Sequence, residues 1–66
     1  MINFKKSKFI GSVYDGVIKN KEDIQYLKDL WQEDNTVSFF NGGIKLSFKD
    51  IDTLKIGTKI SKVFKN

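Results

Sequence analysis

The sequence predicts one α+β domain over residues 1–66, in which an antiparallel sheet of four to five strands packs on one amphipathic helix at about 20–33. Three observations predict this fold class. One stretch has apolar residues at helical spacing, the stretches around it alternate between apolar and polar residues, and Asn-Gly-Gly separates two of the alternating runs. An apolar content of 39% is enough to form a core in a chain of 66 residues.

The helix is predicted over residues 21–33, KEDIQYLKDLWQE. Asn20 is a favourable N-cap, and Glu22 and Asp23 stand in the first turn, where the helix dipole favours acidic side chains. An apolar stripe runs along one face, with Tyr26 beside it, and consists of Ile24, Leu27, Leu30 and Trp31.

The strand-like segment before the helix, KFIGSVYDGVIK at residues 8–19, contains Asp15-Gly16. This dipeptide favours a two-residue type I′ turn, so FIGSVY and VIK are expected to pair as a hairpin. The arm after the turn is short, and one continuous strand with a bulge at Gly16 is the alternative.

The second hairpin is predicted over residues 36–48, around NGG. A turn at Asn41-Gly42 would place Phe39 opposite Ile44, whereas a turn at Gly42-Gly43 would place Phe39 opposite Leu46. Both registers put Phe39 and Phe40 on opposite faces, because side chains alternate along a strand. The apolar face holds Val37, Phe39, Ile44, Leu46 and Phe48, and the polar face holds Ser38, Phe40, Lys45, Ser47 and Lys49.

The rest of the chain predicts a tight connection or a single helical turn at residues 49–53, followed by one or two strands at 54–64. A helical end for SKVFKN is an open alternative, because Ile60, Val63 and Phe64 also fit helical spacing. The expected core is Phe9, Val13, Val17, Ile24, Leu27, Leu30, Trp31, Val37, Phe39, Ile44, Leu46, Phe48, Ile51, Leu54, Ile56 and Ile60.

The run FNGGIKLSFKDIDTLKI, a hairpin followed by Phe-x-Asp-Ile, is similar in appearance to segments of small bacterial Sm-like and SH3-like β-barrel proteins. The resemblance covers about a quarter of the chain and rests on turn chemistry and alternation. It implies a partly closed barrel as an alternative arrangement of the sheet.

The composition argues against an enzyme. The chain has no Cys and no His, so disulfides, thiolate metal sites and Ser-His or Cys-His nucleophiles are excluded. Asp50 and Asp52 form a close carboxylate pair outside the helix, and their expected role is to cap a turn or a short helix. We therefore expect no catalytic residue, no cofactor and no metal.

The charge pattern leaves two kinds of partner. Twelve basic residues, all Lys, give a net charge of +4, and the acidic helix stands between two basic segments. The Lys-rich sheet face could bind nucleic acid or a nucleotide-like anion, but without Arg there is no bidentate contact to phosphate or guanine. The favoured alternative is a protein partner bound through Phe40, Asn41, Lys45, Lys49 and Tyr14, with self-association as a further route to bury surface.

The expected function is that of a small non-catalytic binding protein. Short, Lys- and Asn-rich chains of this kind are typical of AT-rich genomes and of the accessory genes of phages and mobile elements. Such a protein would inhibit or regulate a host factor by occluding or sequestering it. No apolar run reaches the length of a membrane span and the first residues lack a signal-peptide core, so a soluble, cytoplasmic protein is expected.

Overall fold

The computed structural model describes residues 2–8 and 12–64 and confirms the α+β class. In chain order the elements are β1 (Lys5–Lys6), β2 (Val13–Val17), α1 (Lys21–Glu33), β3 (Val37–Asn41), β4 (Ile44–Lys45), α2 (Phe48–Asp52) and β5 (Lys59–Phe64). The five strands form one antiparallel sheet in the order β1-β2-β5-β3-β4, which is not closed into a barrel.

The position of β5 holds the sheet together. It pairs with β2 on one side and with β3 on the other, so it joins the strands that precede α1 to those that follow it. Ser61–Phe64 therefore continues as strand, and the helical alternative for this segment is wrong, since two neighbouring strands satisfy its backbone groups.

Helix α1 begins where the sequence predicts and is held by a reciprocal cap. The Asn20 side chain accepts a hydrogen bond from the Asp23 backbone N–H at 3.1 Å. The Asp23 carboxylate in turn accepts from the backbone N–H groups of Lys19, at 2.7 Å, and Asn20, at 3.3 Å. This capping box satisfies N–H groups that have no partner within the helix.

The cap also explains why a charged residue is buried. Asp23 is only 1% exposed. The Lys19 backbone N–H is the main cause that holds the pKa of Asp23 below its ordinary value of 3.8, although burial acts in the opposite direction. The ionised carboxylate is thus the form that the fold stabilises.

The second hairpin turns at Gly42-Gly43, which decides between the two registers. Asn41 pairs with Ile44 and Phe40 with Lys45, and the Leu46 N–H donates to the Phe39 carbonyl at 2.8 Å. Both glycines have positive φ, 57° and 82°, as a type I′ turn requires.

A one-turn helix, α2, follows the hairpin and corrects the prediction for its second arm. Ser47 is the N-cap of α2 and Asp50 completes a second capping box, in which the Ser47 N–H donates to the Asp50 carboxylate at 2.9 Å. Strand β4 therefore ends at Lys45, and Ser47, Phe48 and Lys49 are not part of the sheet. The expected single helical turn and the capping role of Asp50 are confirmed.

The core lies between the sheet and the two helices. Its buried apolar members are Ile2, Ile18, Leu27, Val37, Phe39, Leu46, Ile51 and Ile60, and the residues packed around them are Phe4, Ile24, Tyr26, Leu30 and Leu54. Four residues that the sequence assigned to the core are exposed: Val17 (38%), Trp31 (38%), Ile44 (72%) and Ile56 (61%). Val13 and Phe48 are half-buried, and Phe9 lies outside the described residues.

The error at Val17 arises in β2. In β2 the prediction followed the wrong alternation, because Gly16 and Ile18 face inward while Val17 faces outward. Gly16 lies so close to the preceding segment that an added Cβ would stand 3.0 Å from the Phe4 ring and 3.2 Å from Ile2. The lack of a side chain at Gly16 thus allows Phe4 and Ile2 to pack closely on β2. The predicted Asp15-Gly16 hairpin is wrong, because β2 continues through both residues and pairs with β5 in an unbroken register.

We expect the stabilisation from Asp23 to depend on pH. Its pKa is lower in the folded chain than in the unfolded one, so this stabilisation is complete above the unfolded pKa and is lost as pH falls through the folded pKa. The difference in unfolding free energy between wild type and Asp23→Asn should be largest near neutral pH and shrink below about pH 5. Urea titrations at several pH values measure it.

Asn20→Ala is the control, because it removes the other half of the same cap without removing a titratable group. Its cost should be about 1 kcal/mol and should vary less with pH than the Asp23→Asn difference. Parallel pH profiles for the two variants would contradict the role given to the Asp23 carboxylate.

The turn makes a separate prediction. Gly43→Val should destabilise the protein by about 1–2 kcal/mol, because a β-branched residue at φ of 82° is strained. Gly42→Asn should be close to neutral, since Asn tolerates a φ of 57° and Asn-Gly is favoured in type I′ turns. Thermal unfolding of both variants tests this, and equal losses would argue against the turn type.

Candidate binding face on the sheet

The sheet has one face turned toward the helices and one turned away from them. Phe39 and Ile60 lie on the helix-facing side with Leu27 and Ile51. Alternation then places Phe40 and Ser61 on the opposite side, which we call the outer face. Its members, taken from the strand registers, are Lys5, Val13, Asp15, Val17, Ser38, Phe40, Lys45, Lys59, Ser61 and Val63.

One row of the outer face crosses all five strands. Lys45 pairs with Phe40, Phe40 with Ser61, Ser61 with Asp15, and Asp15 with Lys5. Cross-strand partners of an antiparallel sheet have adjacent side chains. The row therefore carries an aromatic ring toward one edge and a lysine at each end.

Phe40 is the aromatic residue on this face, as the alternation predicts. It is half-buried, while Phe39 next to it in the chain is fully buried. The exposed Lys45 stands directly opposite it, and Ser38, two residues earlier on the same strand, is buried. Phe40 thus retains some accessible surface between a lysine and a serine neighbour.

The Asp15 carboxylate in the same row is already engaged. Its Oδ1 accepts a hydrogen bond from the Ser61 hydroxyl at 2.9 Å, and Lys5 stands opposite it on β1. The pair lies between Phe40 and the β1 edge and makes the middle of the outer face polar.

The other predicted site residues lie elsewhere. Lys49 is exposed on α2, away from the sheet ladder. Asn41 follows Phe40 but faces the other side, and its Nδ2 donates to the Lys59 carbonyl at 2.8 Å, which ties the hairpin to β5. Of the five residues named from sequence, only Phe40 and Lys45 are adjacent on the outer face.

Tyr14 lies on the helix-facing side, in a cluster around Lys62. The Lys62 ammonium stands 4.6 Å from the centre of the Phe4 ring, 5.2 Å from Phe64 and 5.6 Å from Tyr14. Tyr14 and Phe64 also meet edge to face at 5.7 Å. Cation–π attraction explains how a lysine is accommodated on this side of the sheet, and Tyr14 serves as part of its aromatic surround.

Trp31 is also partly open. It packs on Phe48, with ring centres 5.8 Å apart, and borders a shallow depression of about 310 Å³ together with Val37, Ser38 and Lys45. The sequence placed Trp31 in the core because it follows the helical stripe, but its side chain is 38% exposed.

A larger groove, which sequence reasoning did not find, lies over β1, β2 and β5. It has a volume of about 700 Å³, within the range of small-ligand sites. We call it the lysine groove, because five lysines line it: Lys5, Lys6, Lys8, Lys19 and Lys59. The excess of lysine in residues 1–19 was visible in the sequence, but only the pairing of β5 with β2 brings Lys59 to it.

The carboxylates outside this groove have structural roles or lie apart. The Thr36 hydroxyl and backbone N–H lower the pKa of Asp34, with Lys62 adding to the effect, and the Ser47 backbone N–H lowers that of Asp50. Asp52 takes no part in the capping box predicted to include it and instead pairs with Lys28 at 2.8 Å. Among residues 2–8 and 12–64 no three metal-ligating side chains cluster, and neither helix in that range has the length and apolar character of a membrane span.

Comparison with protein-family models, with curated proteins and with solved structures found no match. The functional interpretation therefore rests on the geometry and the charges of this chain.

Asn41 offers a test of structural against binding roles at the hairpin. Asn41→Ala removes the hydrogen bond to the Lys59 carbonyl and should lower the unfolding free energy by about 0.5–1.5 kcal/mol. Lys45→Ala, on the exposed neighbouring strand, should change it by less than about 0.5 kcal/mol. Denaturant titration measures both changes. If Asn41→Ala leaves the unfolding free energy unchanged, the hydrogen bond of Asn41 does not stabilise the fold and Asn41 is again a candidate contact residue.

Proposed function

We propose that this chain is a non-catalytic binding protein that uses its outer face to occlude a protein partner. The observation that carries the proposal is the position of Phe40: an aromatic side chain, half-buried, on the face turned away from the core and next to an exposed lysine. Aromatic residues with a polar rim are typical anchors of protein interfaces.

The charges around Phe40 specify the kind of partner. Lys45 and Lys59 are exposed on the outer face on two sides of the ring, and Lys5 ends its cross-strand row. A partner that complements this face has an apolar pocket for Phe40 bordered by Asp or Glu side chains. Complementary rims of this kind increase the association rate and exclude wrong partners.

The edges of the sheet favour binding through the face. Strands β1 and β4 at the two edges have only two residues each, and each contains lysine. Short, lysine-bearing edge strands are poor templates for the addition of another strand. A partner would thus bind by packing on side chains and not by extending the sheet.

We propose that the protein is an accessory inhibitor or regulator of the kind carried by phages and mobile elements. It would act in the cytoplasm by occluding or sequestering a host factor. The support is the small size of the chain, its lack of His and Cys for nucleophilic or metal chemistry, and the aromatic anchor on an open face. A second copy of the chain is the competing occupant of the same face.

The test replaces Phe40 by Ala and compares it with Ile44→Ala. Ile44 belongs to the same hairpin and is 72% exposed, but its alternation places it on the other face. Loss of an anchor costs about 2 kcal/mol or more, so the affinity for a captured partner should fall about thirtyfold for Phe40→Ala. Ile44→Ala should bind like wild type. Quantitative binding to the partner captured by the wild-type chain is the measurement.

Two results would contradict the proposal. Equal binding by Phe40→Ala and wild type would show that Phe40 is not the anchor. A large loss of thermal stability in Phe40→Ala would show that the ring belongs to the core. Native mass spectrometry tests whether a second copy of the chain occupies the outer face. A dimer that dissociates in Phe40→Ala, but not in Ile44→Ala, would assign the face to self-association.

A further inference from the structure

We infer that the lysine groove binds the phosphate backbone of nucleic acid without reading its sequence. The five lysines that line it are accompanied by one acid, Asp15, which the Ser61 hydroxyl already engages. The groove shares Lys5 and Lys59 with the rim of the proposed protein-binding face but not its anchor, Phe40, and the inference does not depend on that proposal.

The groove lining carries the same net positive charge as the whole chain. The chain has twelve lysines and eight acids, and the groove holds five of the lysines and one of the acids. The seven remaining lysines are matched by seven remaining carboxylates, so the net charge of +4 is equal to the net charge of the groove lining. A concave surface that concentrates one sign of charge raises the local concentration of oppositely charged ligands.

The lysines of the groove are not consumed by internal ion pairs. No ion pair within 4.0 Å joins any of them to a carboxylate of residues 2–8 and 12–64. By contrast, Lys28 on α1 is paired with Asp52, and Lys62 is surrounded by aromatic rings. The groove thus brings together five lysines that are available to an external anion.

The spread of the charges favours a polymeric anion. Lys5, Lys6 and Lys8 come from β1 and the segment after it, Lys19 follows β2, and Lys59 begins β5. Adjacent strands lie about 4.8 Å apart, so the backbones of β1 and β5 are separated by about 10 Å across the sheet. Five lysines spread over this width can contact several anionic groups at once, and a phosphodiester chain presents one charge at each nucleotide along its length.

The residue types favour contact with the backbone and not with the bases. Lys is a flexible point charge that contacts phosphate from many directions, and the chain has no Arg to form bidentate contacts to guanine. The lining contains no aromatic side chain on which bases could stack, and its exposed apolar member is Val17. Binding should therefore be weak, with a dissociation constant of about 10⁻⁴ to 10⁻⁶ M at physiological salt.

The experiment is fluorescence anisotropy of a labelled oligothymidine of about ten nucleotides, titrated with the full chain at several salt concentrations. The logarithm of the binding constant should fall linearly with the logarithm of salt concentration, with a slope of about −0.7 for each phosphate contacted. Three to five contacts give a slope between about −2 and −3.5. A slope near zero would overturn the inference.

Matched double variants locate the site. Lys5→Gln with Lys59→Gln should weaken binding at low salt and reduce the slope by about 1.4, because two contacts are lost. Lys49→Gln with Lys55→Gln removes the same charge from exposed positions outside the groove lining and should leave the slope nearly unchanged. Equal effects from the two double variants would show a diffuse response to net charge and overturn the assignment.

One further probe decides the class of ligand. Polyglutamate that binds as tightly as oligothymidine would make the groove a site for acidic polypeptide and would overturn the inference. Phe40→Ala should leave oligothymidine binding unchanged, so failure of this inference and failure of the protein-binding proposal are distinguishable.

Discussion

The fold depends on the pairing of β5 with both β2 and β3. These two strands lie on opposite sides of α1 in the sequence, and no described hydrogen-bonded ladder joins them except through β5. The alternation of β5 sends Ile60 into the core and Ser61 to the outer face, and its neighbours follow in register. A shift of β5 by one residue would exchange its buried and exposed side chains. The candidate binding face and the lysine groove both depend on this register.

Local chemistry made part of the fold predictable. The N-cap Asn20, the helical spacing that follows it and the two positive-φ glycines of the hairpin each act within a few residues. They were interpreted correctly because their physical cause lies in the adjacent backbone. The opposite faces of Phe39 and Phe40 follow from alternation alone, and for this reason Phe40 could be placed on the face away from the core without a structure.

Long-range packing accounts for the errors. Asp15-Gly16 has the composition of a tight turn, but Gly16 is a glycine because Phe4 and Ile2 pack against it from the N-terminal segment. Trp31 and Ile56 are apolar and were assigned to the core, but they are 38% and 61% exposed, because their burial depends on contacts that are distant in sequence. The groove was missed for a similar reason, since Lys59 joins the N-terminal lysines only through strand pairing that is distant in sequence.

The strand order also constrains how the molecule can be made. The ribosome produces β2 and β3 before β5, so on the nascent chain each of these strands lacks the neighbour that later lies between them. Their open edges are then accessible to other chains, and contacts so distant in sequence form slowly. Lysines on the emerging strands oppose pairing with similar nascent chains during this interval. The net charge of +4 therefore also limits association between chains while the protein is being made.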